Sequence, residues 1–534
     1  MDTVRSTSAL IKLMKVVPLL LVLCGVLHPH AALAASCNST PAPGTWMDTD
    51  FQNLLNNCAG QTITFSAGTY LFTPSGYNNP GFTIPSGSSA SPTILKGNGS
   101  SGAGRTIFQI ASNGAYQALL WVRNTSNITI EAIDFEDIDA DNKTYPSGCA
   151  ATPVATFGNA IYLYSDPQTT PASYSSIENI VIQNNVFHDF NGYAWIDFVA
   201  KDLSPGVGQD SEIAISSNSF ETDASLNGGC AATEGQHVYA ISIHGSTNYP
   251  NSGLVENVSI AENQFDTSYI EGAVAIWSDA SLISVQYNTI NGAGNMLPHV
   301  TGEPYRYAIS VYSDAYETKP GNGLPPDTIW IVGNTITRPE TCGIYALTAT
   351  NLDIQSNTIS GQTDTDDETL PKGAIVLNNG STTMSGYPLE SNTLFGNYVG
   401  LAVVLGSNNG LVATGSNQIT VPSNSYGAKL TLGPNTTVTL DFQGIIFTAT
   451  SGTTNATSVV GFGNPGSQAF IGMAQNGWAA IGGANPALIW YDTPARTTEY
   501  TSFSQVPHVT FGNVHNPITV DDGGADQGAF WQAQ

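Results

Sequence analysis

The fold of this chain is decided by Ile180-Val-Ile-Gln-Asn-Asn185-Val-Phe187, because the same pattern recurs along the sequence. In this pattern, an apolar–x–apolar run is followed by a short polar segment and then by Asn–x–apolar. The pattern returns as Ile213-Ala-Ile-Ser-Ser-Asn218-Ser-Phe220 and as Val258-Ser-Ile-Ala-Glu-Asn263-Gln-Phe265. Later copies are centred on Asn288, Asn334, Asn357, Asn392 and Asn417. Repeats spaced by tens of residues are typical of stacked folds, and alternation at period two makes the repeating unit a pair of short strands.

The spacing of these Asn residues indicates which stacked fold is present. Successive copies lie 23 to 46 residues apart. The shortest intervals are long enough for one coil of three short strands at about 3.3 Å per residue. The longer intervals must carry loops, so the pattern predicts a right-handed parallel β-helix with loops of variable length. We expect the Asn column to be a buried structural ladder, in which each amide bonds the backbone and the Asn residues above and below.

The two ends of the repeat region have their own signals. The segment from Phe51 to Tyr70 predicts a short helix followed by a first strand and turn, which would cap the open end of the stack. The Asn rhythm fades after about residue 425. We therefore divide the chain into a signal peptide (1–35), a β-helix (36–450), and C-terminal coils, a cap or a small appended β region (451–534). Few charged residues and 54 glycines agree with an all-β chain that has many tight turns.

The first 35 residues have the features of a secretory signal. Arg5, Lys12 and Lys15 precede an apolar run over 16–27, and small residues suited to cleavage follow at 32–35. That run is too short to span a bilayer, so we expect a secreted protein, extracellular or periplasmic, with no membrane span. The formal charge of −27 would repel nucleic acid. We expect a monomer whose partner is a polysaccharide.

Five cysteines remain after the predicted signal peptide, and an exported chain can keep disulfides. Cys37 and Cys58 bracket the N-terminal segment and are expected to pair. Cys149 and Cys230 lie in near-identical Gly-Cys-Ala-Ala-Thr loops, so a second bridge is predicted. Cys342 would be left over and buried. No cysteine spacing suggests zinc.

The arrangement of a strand, a short turn, Asn-x-φ-x-φ and Asn-x-φ, where φ is apolar, resembles the pectin lyase-like superfamily. That superfamily includes pectate lyases, polygalacturonase-type hydrolases, alginate and chondroitin lyases, and phage tailspikes. The resemblance covers roughly residues 60–450. It implies the fold but not the activity, because one fold hosts several chemistries. The polygalacturonase motifs Asn-Thr-Asp, Gly-Asp-Asp and Gly-His-Gly do not occur here, nor does the Arg-x-Pro-x-x-Arg of pectate lyases.

A second set of strands, just before each Asn pair, carries the candidate site. The first is Ala160-Ile-Tyr-Leu-Tyr-Ser-Asp166, and its equivalents begin at Trp195, Ala240, Ala273, Ala308 and Gly343. Apolar residues at the second and fourth positions point inward, so the third and fifth must point outward. The outward columns are Tyr162, Asp197, Ser242, Ala275, Ser310, Tyr345 and Tyr164, Val199, His244, Trp277, Tyr312, Leu347. Aromatic rings beside Asp, Ser and His predict a polysaccharide groove. The alternative is that a loop or the C-terminal region covers this face.

Ionisable residues near these strands are the catalytic candidates: Asp197, Glu271, Asp279, Asp314, His237, His244 and Arg306. Substrate subsites are predicted at Tyr162, Tyr164, Trp277, Tyr307, Tyr312, Tyr345 and Lys201. Glu271 and Arg306 occupy equivalent positions on neighbouring coils and should be adjacent. They form either an ion pair or part of the site. Asp279 and Asp314 share a column about one coil apart. They form an acid and a nucleophile, bind Ca²⁺, or each bond the backbone of the following turn.

We expect no required cofactor, although Ca²⁺ at the Asp279–Asp314 pair is an alternative. The two histidines are expected to form hydrogen bonds in the groove rather than bind metal. The leading hypothesis is a secreted enzyme that cleaves a polysaccharide along the β-helix, with hydrolysis preferred. The first alternative is a lyase or C5-epimerase acting on a uronan. The second is a non-catalytic adhesin or glycan-binding surface protein.

Overall fold

The computed structural model describes residues 37, 40–73, 81–110, 116–136, 157–165, 177–188, 194–200, 211–221, 239–245, 255–267, 272–292, 307–312, 324–362, 372–378 and 389–405, together with strands between residues 410 and 532. The fold is a right-handed parallel β-helix, as predicted. Its one described helix is α1 (Asp48–Asn57).

The strands of the repeat region follow one another in short, regular units. In chain order they are β1 (Gly44–Met47), β2 (Thr62–Thr64), β3 (Gly68–Thr73), β4 (Phe82–Thr83), β5 (Thr93–Lys96), β6 (Thr106–Ile110), β7 (Tyr116–Arg123), β8 (Ser126–Glu131), β9 (Asp134–Glu136), β10 (Phe157–Ser165), β11 (Glu178–Gln183), β12 (Val186–His188), β13 (Ala194–Ala200), β14 (Ser211–Ser216), β15 (Ser219–Glu221), β16 (Tyr239–Gly245), β17 (Val255–Ala261), β18 (Gln264–Asp266), β19 (Gly272–Ile276), β20 (Ala280–Gln286), β21 (Thr289–Asn291), β22 (Tyr307–Tyr312), β23 (Asp327–Val332), β24 (Thr335–Thr337), β25 (Cys342–Leu347), β26 (Thr350–Gln355), β27 (Thr358–Ser360), β28 (Gly373–Asn378), β29 (Thr393–Phe395), β30 (Val399–Leu405) and β31 (Gly410–Thr420).

The C-terminal strands are β32 (Tyr426–Leu432), β33 (Thr437–Phe442), β34 (Ile445–Ser451), β35 (Ala456–Phe462), β36 (Ala469–Ala474), β37 (Gly477–Gly483), β38 (Leu488–Trp490), β39 (Val509–Phe511), β40 (Pro517–Asp521) and β41 (Gly528–Gln532).

In the described part of the chain the strands form three sheets, of which sheet B ends at β26 while the other two continue. Sheet C holds β10, β13, β16 and their equivalents; sheet B holds β11, β14, β17; sheet A holds β12, β15, β18. Neighbouring coils pair in parallel in every one of these examples. Antiparallel pairing begins only with β32–β35 and β33–β34. These antiparallel pairs involve strands both before and after residue 450. They therefore do not locate the end of the β-helix, and the predicted boundary at residue 450 stays a prediction.

The predicted Asn ladder lies at the turn from sheet B to sheet A. Asn218 donates from Nδ2 to Asn263 Oδ1 (3.0 Å) and to Ile182 O (2.9 Å), and its backbone N–H also donates to Asn263 Oδ1. The same bonds link the successive ladder residues from Asn185 to Asn417. The residue before each Asn from Asn185 to Asn392 takes the left-handed conformation, as Ser217 does at φ 56°. This turn lets the Asn side chain reach both its neighbours and the backbone, which satisfies its buried polar atoms.

Aromatic rings fill the interior behind the first ladder rungs. Phe135, Phe187, Phe220 and Phe265 occupy one inward column of sheet A, with successive ring centroids 4.7–4.9 Å apart and nearly parallel planes. All four are buried. The column continues with Ile290, Ile336 and Ile359. The stack therefore repeats the coil spacing inside the molecule, as the ladder does at the turn.

The N-terminal cap is present as predicted. Phe51 and Leu55 of α1 are buried, and the Phe51 ring centroid lies 4.7 Å from those of Phe72 and Phe82. A disulfide joins Cys37 to Cys58. Cys342 is buried, as predicted, whereas the predicted Cys149–Cys230 bridge lies outside the described residues. Within the described ranges, no helix is long and apolar enough to cross a bilayer.

Candidate functional site

The outward columns of sheet C have the register that the sequence predicts. Tyr162 pairs with Asp197, Asp197 with Ser242, Ser242 with Ala275, Ala275 with Ser310, and Ser310 with Tyr345. The second column runs from Tyr164 through Val199 to His244. We call the surface formed by both columns the sheet C face. Since Ile196 and Phe198 are in the core, Asp197 and Val199 must lie on this face.

The start of each sheet C strand departs from simple alternation. Trp195 would point outward if the strand were regular, yet it lies in the core with its ring 5.8 Å from Phe220. Tyr239, which alternation would turn inward, instead packs with Ala275 and Trp277 of the sheet C face. The strands therefore bend between Trp195 and Ile196 and between Ala240 and Ile241, where two successive residues lie in the core, and this bend adds Tyr239 to the candidate site.

Asp197 and His244 come together at the middle of this face. His244 Nε2 lies 3.3 Å from Asp197 Oδ1, although the contact is not aligned as a hydrogen bond. The Asp197 side chain is 6% exposed and that of His244 is 27% exposed, so solvent reaches the pair from the imidazole side. Asp197 on β13 and His244 on β16 are diagonal neighbours on adjacent coils. A buried carboxylate beside a reachable imidazole can orient the ring and let it accept or release a proton.

Other buried polar atoms around the pair also have no hydrogen-bond partner. They include Asn159 Oδ1, Ser242 Oγ and Ser310 Oγ. Ser242 is next to Asp197 in the same column, and Ser310 lies two coils further on. Buried polar groups are nearly always satisfied by protein, water or a ligand. This part of the sheet C face therefore has free hydrogen-bonding capacity that a polar ligand can fill.

The aromatic residues of the face are less exposed than the sequence led us to expect. Tyr162, Tyr164, Trp277, Tyr307 and Tyr345 are each at most 9% exposed. The expectation of open stacking platforms is therefore wrong for these five, and the alternative of a covered face describes them better. Only Tyr312 among the predicted aromatic subsites keeps intermediate exposure.

Part of this burial comes from rings packing on one another. The Tyr162 centroid lies 5.0 Å from that of Trp121, and the Tyr307 and Tyr345 rings stack at 4.3 Å. On the coils next to His244, the Trp277 and Tyr312 centroids are 3.9 Å apart. The three aromatic groups flank the polar patch of Asp197, Ser242 and His244 along the stack.

Asp279 is held in a turn rather than presented to a ligand. Its Oδ1 accepts a hydrogen bond from the Leu324 N–H (2.8 Å), and its backbone N–H donates to Leu324 O. The residue is 2% exposed and left-handed, with φ 60°. The bonded backbone is that of Leu324 and not the following turn that the sequence alternative named, but the contact is structural in the same sense. We therefore treat Asp279 as part of the scaffold, and its catalytic role stays a prediction.

Five candidates lie outside the described residues: Glu271, Asp314, His237, Arg306 and Lys201. The predicted Glu271–Arg306 contact therefore stays a prediction, as does the Asp279–Asp314 pair with its Ca²⁺ alternative. The described candidates that the fold brings together are Asp197 and His244, with Trp277 and Tyr312 beside them.

Sequence reasoning missed three residues of this face: Trp121, Asn159 and Tyr239. Trp121 pairs with Tyr162 and could have been found by extending the alternating pattern one coil toward the N-terminus. Asn159 and Tyr239 stand before the bend, at positions that alternation assigns to the interior. The Tyr239 hydroxyl lies 3.3 Å from that of Tyr312. No local sequence signal marks the bend.

Known proteins resemble this chain in fold. It is similar to an alginate lyase from a Paenibacillus species (14% identity, 70% of this chain and 94% of that one, TM-score 0.38). It is also similar to an exopolygalacturonase from Thermotoga maritima (8%, 75% and 92%, TM-score 0.39) and to PfbA, a surface adhesin of Streptococcus pneumoniae (12%, 92% and 85%, TM-score 0.34). No family model and no curated protein matches the chain. These low similarities carry no argument about its activity.

Proposed function

We propose that this chain is a carbohydrate-active enzyme that cleaves a polysaccharide on the sheet C face, with Asp197 and His244 as its acid–base pair. The observation that carries the proposal is their 3.3 Å approach among buried polar atoms that have no hydrogen-bond partner. A sugar offers many hydroxyl groups, and these can supply the missing partners. Tyr312, which keeps intermediate exposure, offers apolar surface for the face of a sugar ring.

Hydrolysis is the first form of the reaction that we propose. It needs one group that protonates the leaving oxygen and another that activates water or attacks the sugar. The facing atoms of Asp197 and His244 are 3.3 Å apart, too close for a scissile bond to lie between them, so together they supply one of these two groups. Glu271 and Asp314, which lie outside the described residues, stay candidates for the other. In this scheme Trp277 and Tyr312 border the subsite next to His244.

β-Elimination or C5-epimerisation of a uronan is the second form, and a specific observation favours it. On the described part of the sheet C face, Asp197 is the only carboxylate that is not held in a turn. The Tyr239 and Tyr312 hydroxyls, 3.3 Å apart, lie in the cluster that includes Trp277, whose ring centroid is 6.5 Å from that of His244. Imidazole and phenol groups are suited to removing a proton next to a uronate carboxylate, a step that does not need two carboxylates.

Product analysis by mass spectrometry on a polysaccharide panel tests the proposal and separates its two forms. Alginate, pectate, a glycosaminoglycan and neutral glycans are incubated with the wild-type chain and with Asp197→Asn, His244→Gln and Asp279→Asn. Hydrolysis yields hydrated ends, and elimination yields unsaturated ends that are lighter by one water molecule. C5-epimerisation leaves the chain uncut and is detected by the mass gained when the reaction runs in D2O. We expect product from the wild type and from Asp279→Asn, but not from the other two variants.

Two results would overturn the proposal. Equal activity of Asp197→Asn and the wild type would show that Asp197 is not part of an acid–base pair. Binding of a glycan without product from any member of the panel would instead support a non-catalytic glycan-binding protein.

Action outside the cytoplasm is part of this proposal, and it rests on the signal-like segment 1–35. Expression of the full chain in a bacterial host, followed by N-terminal sequencing of the exported protein, tests it. We expect a mature N-terminus at or near Ser36. Retention of the uncut chain in the cytoplasm would contradict secretion.

A further inference from the structure

A second cluster of ionisable side chains lies on another sheet, apart from the proposed acid–base pair. Strand β9 of sheet A reads Asp134-Phe-Glu136, and its Phe135 points into the core. Asp134 and Glu136 therefore share the outward face of this strand. His188 at the end of β12 is in register with Glu136 on the next coil. Two coils thus bring two carboxylates and one imidazole to a single place.

The donor atoms of these three residues are close together and shielded from water. One ligand atom from each lies within 4.8 Å of the other two. The side chains of Asp134, Glu136 and His188 are 0%, 5% and 15% exposed. Burying carboxylates is costly unless a cation compensates them. The cluster therefore needs positive charge.

Asp134 is unusual in its own column. The equivalent residues on the following coils are all neutral: Val186, Ser219, Gln264, Thr289, Thr335, Thr358 and Thr393. A side chain at this position therefore does not need a charge to build the coil. The acid at Asp134 calls for an explanation other than the fold.

The carboxylate of Asp134 is fully buried, and neither of its oxygens has a hydrogen-bond partner. Arg105 Nη1 approaches Oδ2 to 2.9 Å, and His188 Nε2 approaches Oδ1 to 2.8 Å, but neither contact is aligned as a hydrogen bond. Oδ1 and Nε2 are thus close together without bonding each other. Such a contact arises when two ligand atoms are directed toward a common third point.

Arg105 contacts both carboxylates of the cluster, since its Nη2 also lies 3.8 Å from Glu136 Oε2. The Arg105 side chain, 36% exposed, reaches the cluster from the solvent side. Residues that hold a metal-binding carboxylate in this way are common around metal sites.

We infer that Asp134, Glu136 and His188 form a binding site for one divalent transition-metal ion, with Arg105 orienting the Asp134 carboxylate. A set of one imidazole nitrogen and two carboxylate oxygens suits Zn²⁺, which commonly takes three protein ligands and leaves a fourth position for water or a substrate. Ca²⁺ is less suited, because it prefers six to eight oxygen ligands. The ion links neighbouring coils of sheet A and compensates the buried charge.

The test is metal binding by the purified full chain after treatment with a chelator. Zn²⁺ binding is measured by equilibrium dialysis with elemental analysis, and Co²⁺ serves as a probe through its visible absorption. We expect one equivalent per chain. His188→Gln, at a partly exposed position, and Glu136→Gln should abolish that binding, and Arg105→Gln should weaken it about 10- to 100-fold. Glu221→Gln is the matched control, because Glu221 follows His188 in the same column but is exposed.

Far-UV circular dichroism identifies variants that fold, and only these are compared. Failure of the folded wild-type chain to bind Zn²⁺ or Co²⁺ would overturn the inference. Undiminished binding by folded His188→Gln would also overturn it, and would leave the cluster as an ion-pair network with a protonated imidazole. Equal losses in His188→Gln and Glu221→Gln would place the metal elsewhere. The readout is independent of polysaccharide cleavage.

Discussion

The Asn ladder and the sheet C face are both columns of polar residues stacked at the coil spacing, yet they differ in one respect. Each ladder Asn between the two end rungs bonds to an identical residue above and below, so donors meet acceptors along the column. On the sheet C face the residue changes from coil to coil, and Asp197, Ser242 and Ser310 keep atoms that have no hydrogen-bond partner. A column of identical Asn residues satisfies its own hydrogen-bond donors and acceptors. A column whose residues vary keeps polar atoms that can bond to a ligand.

The largest expected effect comes from the sheet C face. Asp197→Asn should lower the rate of polysaccharide cleavage about 100- to 10,000-fold, because general acid–base catalysis contributes that much. The free energy of unfolding should stay the same or rise, because a buried carboxylate oxygen without a hydrogen bond is replaced by a neutral amide. Turnover on the substrate found in the panel and denaturant unfolding measure the two effects. A large loss of stability with full activity would contradict this prediction, because Asp197 would then be a structural residue like the ladder Asn residues.

The ladder should show the opposite behaviour. Asn263→Ala removes the acceptor of the Asn218 N–H and Nδ2 groups and the donor to Ile215 O. Leaving such buried groups unsatisfied should cost about 3 kcal/mol or more of the free energy of unfolding. Denaturant unfolding followed by circular dichroism measures it. Gln264→Ala, at the exposed neighbouring position, is the control and should change little. Equal small effects at both positions would show that the ladder is not a stabilising column.

Asp279 tests whether a carboxylate near the sheet C face can belong to the scaffold. Asp279→Ala should destabilise the fold by about 1–3 kcal/mol, because the Leu324 N–H loses its side-chain acceptor. Asp279→Asn keeps an acceptor and a residue type that tolerates the left-handed conformation, so it should retain stability and activity. Thermal unfolding and turnover of both variants are compared. Loss of activity in a stable Asp279→Asn variant would return Asp279 to the catalytic group.

The smallest effect concerns two carboxylates of sheet B and depends on pH. Burial raises the pKa of Asp353, a hydrogen bond to Gln355 lowers it, and the Glu390 carboxylate raises it, with a net upward shift from 3.8. The folded state therefore holds this proton more tightly than the unfolded state, so stability falls as the pH rises above 3.8 through the folded pKa. Asp353→Asn should remove that fall and modestly stabilise the protein at neutral pH.

Asp327 provides a control of the opposite sign. Burial raises its pKa, but hydrogen bonds from Thr350, Thr328 and Asn351 lower it by more, so the net pKa lies below 3.8. Its contribution to stability is present above pH 3.8 and is lost as the pH falls through the folded pKa. Unfolding measured from pH 3 to 7 compares Asp353→Asn with Asp327→Asn. The same pH trend in both variants would contradict the assigned causes.

Much of the scaffold was predictable, and so was the register of the candidate face. The ladder Asn residues, the cap around Phe51 and the pairing of Asp197 with Ser242 follow from periodicity, because alternation and repeat length constrain every coil in the same way. The reversal at Trp195 and Tyr239 was not predictable, since it depends on a bend that the packing of neighbouring coils stabilises. The burial of Tyr162 and Tyr345 was equally hidden, because exposure depends on what covers a face.

The sequence by itself determined the parallel β-helix, since eight Asn repeats leave one way to stack their strands and satisfy their amides. It also determined which residues stand in each outward column. Only the tertiary structure decided which of those residues meet: Asp197 with His244, Asp279 with the Leu324 backbone, and Asp134 with His188 across two coils. The reason is physical. Register along a strand is a local property, but the distance between two side chains on different coils depends on bends, turns and rotamers set by the whole stack.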